Sequence, residues 1–86
     1  MTPIEQILSA ASAFAAAKEL SESRVSTLVF NDGKRLKDLR ENDRDIGTKI
    51  FARAMQWFSD NWPEGAAWPE GVARPGPSEV ISGDAA

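Results

Sequence analysis

An 86-residue chain with a formal charge of −3, 42% hydrophobic residues and neither cysteine nor histidine has the size of one small domain with a compact core. The two absences exclude disulfides, thiolate and imidazole metal sites, and any nucleophile activated by histidine, so no enzymatic activity, cofactor or metal is expected. The longest apolar stretch is interrupted by Ser9, Ser12 and Lys18, which leaves no signal peptide and no membrane span and makes a cytoplasmic location the expectation.

The charge is unevenly spread. Residues 1–62 carry nine basic and nine acidic side chains, whereas residues 63–86 set Arg74 against Glu64, Glu70, Glu79 and Asp84. The negative excess therefore belongs to the tail. Between residues 24 and 53 the balance reverses, with eight basic against five acidic side chains, a modest positive field suited to a polyanion.

Thr2-Pro3-Ile4-Glu5 predicts the start of the first helix: a threonine cap, proline at the first helical position, and a glutamate three residues after the cap. Ile4, Ile7, Leu8, Ala11, Phe14 and Ala15 then recur at helical spacing, and the helix should run to about Glu19, whole or broken near Ser9–Ser12. Ser21 and Ser23, with Glu22 between them, offer a new cap, and a second helix should follow with Val25, Leu28 and Val29 inward. A strand at 24–30 is the competitor, because Val25, Thr27, Val29 and Phe30 favour extended backbone.

Asn31-Asp32-Gly33 predicts a break. Lys34 to Arg40 should form a short charged helix or turn at the surface, with Leu36 and Leu39 as its only apolar contacts. The last helix is expected at about 46–61, capped by Asp43 or Asp45, with Ile46, Ile50, Phe51, Ala54, Met55 and Phe58 as its inner stripe. The expected fold class is thus all-α, a small domain of three to five helices over residues 1–62. Residues 63–86 should form an extended or disordered acidic tail, since Pro63, Pro69, Pro75 and Pro77 alternate with Gly65, Gly71, Gly76 and Gly83. Within it Trp62-Pro-Glu-Gly recurs as Trp68-Pro-Glu-Gly after six residues, either as a cover for the helices or as a partner-binding motif.

Residues 11–30 carry the spacing of a helix-turn-helix. Such a unit needs a small residue where its helices touch, an apolar residue in the turn, and two more to seat the second helix. Ala15, Leu20, Val25 and Leu28 stand at those intervals. The segment, and above all Leu20-Ser-Glu-Ser-Arg-Val-Ser-Thr27, resembles the lambda-repressor and Cro-like class of helix-turn-helix regulators and is similar to small prophage-associated members of it. It departs from the class at Glu19, where glycine is usual, and at Lys18, where an apolar residue is usual. The resemblance implies a transcriptional regulator that reads double-stranded DNA in a major groove as a homodimer. Glu22, Ser23, Arg24, Ser26 and Thr27 would then face bases, and Lys34, Arg35 and Lys37 would grip phosphates.

Other readings have less behind them. Asp38, Glu41, Asp43 and Asp45 lack the glycine spacing of a calcium loop and are interleaved with cations. The rival functional class is a protein-binding module of antitoxin, inhibitor or adaptor type that uses the acidic Trp/Pro tail.

Overall fold

Thr2 caps the first helix in the computed structural model, which describes residues 2–42 and 46–75. Its Oγ1 accepts from the Glu5 N–H at 3.1 Å, and Glu5 Oε1 accepts from the Thr2 N–H at 2.9 Å, so the capping box is complete. Helix α1 runs unbroken over Pro3–Lys18 and buries Ile4, Ile7, Ala10, Ala11 and Phe14. Thr2→Ala is expected to cost about 1 kcal/mol, visible as a melting temperature lower by roughly 4–8 °C.

The turn after α1 is made by Glu19 in the left-handed region (φ 56°, ψ 47°). Glu19 N–H reaches Ala16 O at 3.4 Å and Leu20 N–H reaches Ala15 O at 2.9 Å, the paired bonds of a Schellman ending. An L side chain in this conformation costs about 1 kcal/mol that glycine escapes. Glu19→Gly should therefore raise the melting temperature, the gain reduced to about 0.5 kcal/mol by the greater freedom of the unfolded chain.

Ser21 Oγ accepts from Arg24 N–H at 3.1 Å and starts α2, Glu22–Phe30. The strand alternative at 24–30 is thereby overturned: capping and the burial of Val25 against the other helices outweigh β propensity. Leu28, expected inward, is 41% exposed, whereas Ser26 takes an inner position at 0%. A second left-handed residue, Asn31 (φ 59°), ends α2. Helix α3 follows at Arg35–Asn42. Its leucines are not marginal surface contacts, since Leu36 and Leu39 are 0% and 1% exposed.

Helix α4 spans Thr48–Asn61 and buries Ala54, Met55 and Phe58. Gly47 stands at its cap position without a side-chain bond; the cap expected at Asp43 or Asp45 falls outside the described residues. Ile50 leaves the predicted inner stripe and is 39% exposed. Helix α1 touches all three other helices, and α2 touches α3 and α4. Among the described residues there is no strand, and no helix is long and apolar enough to cross a membrane.

The segment after α4 has no regular secondary structure, yet it is not detached. Val72 is buried within the same core cluster as Ile7, Phe14, Leu36 and Phe58. Each Trp-Pro-Glu-Gly copy closes the same way: Trp62 Nε1 donates to Ala66 O at 2.9 Å and Trp68 Nε1 to Val72 O at 2.8 Å. Gly65 (φ 86°) and Gly71 (φ 80°) supply the left-handed turns, for which glycine is the unstrained residue. The two indoles pack 4.6 Å apart, and Trp62 in turn lies 5.9 Å from Phe14. Pro75 is tied back to α4, its carbonyl accepting from Ser59 Oγ at 2.9 Å. Residues 63–75 thus form an irregular segment, as their prolines and glycines predict, and of the two readings of the Trp-Pro-Glu-Gly repeat they take the first, a cover for the helices; residues 76–86 lie outside the described part.

Candidate nucleic-acid interface

The helix-turn-helix spacing read at Ala15, Leu20, Val25 and Leu28 fails at its last position, because Leu28 faces outward. The same intervals recur eleven residues later: Ser26 stands in for the small residue, and Leu36 and Leu39 for the two seats. All three are buried. Only the turn position differs, where the polar Asn31 adopts the left-handed conformation.

Ser26 explains how α2 and α3 are locked. Its hydroxyl donates to Asp32 O and accepts from Leu36 N–H at 3.1 Å, so one side chain of α2 satisfies both the turn and an orphan amide at the start of α3. Asp32 Oδ1 accepts from Lys34 N–H at 3.0 Å, and Asp32 O accepts from Arg35 N–H at 3.2 Å. Gly33 completes the junction. A Cβ there would stand 3.1 Å from Ser23 Oγ and 3.2 Å from Thr27 Oγ1, closer than comfortable contact, so the turn's backbone lies directly on the hydroxyls of α2.

The predicted site residues divide accordingly. Ser23, Thr27, Lys34 and Lys37 are exposed, and the Gly33 turn brings the first three to one place. Thr27 Oγ1 already donates to Ser23 O at 3.0 Å. Lys34 and Lys37 make no ion pair among the described residues, and Arg24 is exposed on α2. Arg35 is half-buried, its guanidinium 5.6 Å from the centre of the Phe30 ring, a cation–π contact that holds it at the flank of α3. Glu22 is half-buried and paired with Arg40. Ser26 is the correction: fully buried and engaged twice, it cannot meet a base.

Sequence reasoning missed Arg40 and the burial of Leu36 and Leu39. The available signal was the second occurrence of the spacing, obscured because Ser26 is polar and the intervening residues are charged. A shallow groove beside the junction is lined by Val29, Phe30, Arg35, Ile50, Arg53 and Ala54. No cluster of metal-ligating side chains occurs among the described residues.

No known protein family, curated protein or solved structure matches the chain.

Proposed function

We propose that the protein is a sequence-specific DNA-binding transcriptional regulator and that the unit engaging the duplex is α2–turn–α3, with α3 in the major groove. The observation that carries this reading is the junction itself. Ser26, Leu36 and Leu39 fix α3 by its inner side, which leaves Lys34 and Lys37 exposed, Lys34 directly after the Gly33 turn that lies on the Ser23 and Thr27 hydroxyls. Cations of this kind supply phosphate affinity, and short hydroxylated side chains suit phosphate or base edges. The unit differs from the one first read in residues 11–30 by a shift of one helix; Ser23, Arg24, Thr27, Lys34, Arg35 and Lys37 remain in the proposed contact set. The chain would act without a cofactor, in the cytoplasm, as a homodimer, for which the exposed Leu28 and Ile50 offer apolar surface. A prophage-type regulator remains the nearest functional analogy.

The protein-binding alternative keeps the support of the chain's acidity, but its use of the tryptophans is less favoured because Trp62 and Trp68 are engaged by the chain's own carbonyls. Anisotropy titration of a labelled random-sequence duplex at about 50 and about 200 mM salt separates the two readings. Salt-sensitive binding is expected. Converting Lys34 and Lys37 to glutamine should remove about two phosphate contacts and shrink the loss across that salt range by roughly 12-fold. Absence of salt-sensitive binding at micromolar protein would reject the duplex reading.

A further inference from the structure

We infer that Glu22 restrains Arg40, withholding from the nucleic-acid surface a cation that α3 otherwise has available; this rests on the duplex reading. Arg40 lies on α3 three residues after Lys37, on the flank of the same exposed face. Its guanidinium is drawn across to the carboxylate of Glu22 at the start of α2, eighteen residues away in sequence. A second, weaker approach to Glu41 is 3.9 Å long. The Glu22–Arg40 pair stands at a groove along α1 lined by Leu8, Ala11, Ser12 and Ala15, which puts the guanidinium on the α1 side of α3.

The chemistry follows from what each anion offers. A guanidinium already bonded to a carboxylate gains little by exchanging it for a phosphate. With the Glu22 carboxylate gone, only the longer approach to Glu41 at 3.9 Å competes with phosphate for the guanidinium. Side-chain exposures of 39% for Glu22 and 48% for Arg40 make the pair weak in water, so it tempers affinity without abolishing it. The same exposure means that neither substitution threatens the fold. Glu22 thus keeps binding weaker and less dependent on salt than the basic residues alone would make it.

A double-mutant cycle in the full chain tests this, using Glu22→Gln, Arg40→Gln and both, with the random duplex at about 50 and about 200 mM salt. Glu22→Gln should tighten binding and add about one phosphate contact, an extra loss of roughly 3.5-fold across that salt range. Arg40→Gln alone should leave the salt dependence as in the native protein. In the Arg40→Gln background, Glu22→Gln should no longer steepen it. Two outcomes overturn the inference. Arg40→Gln alone flattening the salt dependence by about one contact would mean that Arg40 already grips phosphate. An equal effect of Glu22→Gln in both backgrounds would mean that Glu22 acts only by repelling DNA. Failure of the native chain to bind duplex at all is a separate result, which removes the duplex reading and this inference with it.

Discussion

Ser26→Ala is expected to destabilise the fold by about 2 kcal/mol, because the buried Leu36 N–H loses its acceptor, at about 1–3 kcal/mol, while Asp32 O keeps its bond from Arg35 N–H. In a domain of this size that lowers the melting temperature by roughly 10 °C. The Ser26 hydroxyl is wholly buried and bridges Asp32 O and Leu36 N–H. Alanine fills nearly the same space and packs no worse, so the loss is almost purely one of hydrogen bonding. Leu36 is wholly buried, so water does not take the place of the lost acceptor at its N–H. Thermal unfolding followed by circular dichroism measures the effect directly. A base-contacting serine would behave in the opposite way, changing DNA affinity while leaving the melting temperature alone, and an unshifted melting curve would return Ser26 to the surface set.

The helices were legible because their signals are local. Thr2, Pro3 and Glu5 determine one end of α1 through backbone groups a few residues away, and Ser21 does the same for α2. What could not be read was which face each short helix would bury. In α2 the apolar positions Val25, Leu28 and Val29 suggest one face, yet the buried pair is Val25 and Ser26. A serine becomes a core residue only when something distant offers it both a donor and an acceptor, and the partners here lie six and ten residues further on. The same dependence hid α3. Mean hydropathy makes Arg35–Asn42 look like surface, but two leucines three residues apart suffice to seat a helix of eight residues when the turn before it is already fixed. For the candidate site, basic residues at 34 and 37 were legible from charge alone, since neither makes an ion pair among the described residues. Arg40 was lost because its partner, Glu22, sits on another helix.

A large effect in the segment after α4 is expected at Trp68. Replacing it with alanine should cost about 3 kcal/mol, the lower end for a tryptophan truncation because the ring is half-buried. Three contacts disappear together: the 4.6 Å packing on Trp62, the bond from Nε1 to Val72 O, and the approach of Arg74 to the ring at 5.1 Å. Arg74 also donates to Ser59 Oγ and O at 3.1 and 3.0 Å, so the strap that returns Pro75 to α4 is weakened from the same point. Urea unfolding gives the number, and an unchanged slope with a lower midpoint identifies a loss of native stability. Trp68→Phe separates the two parts of the effect. It retains an aromatic ring against Trp62 but leaves Val72 O without its donor, and should cost about 1–2 kcal/mol. If the second Trp-Pro-Glu-Gly copy existed to hold a partner, alanine would leave the midpoint in place and abolish only that contact. Because the first copy makes the same bond four residues along and its indole reaches Phe14 and Phe58, the repeat is better understood as one closing device used twice: the inner copy covers the core, and the outer copy covers the inner.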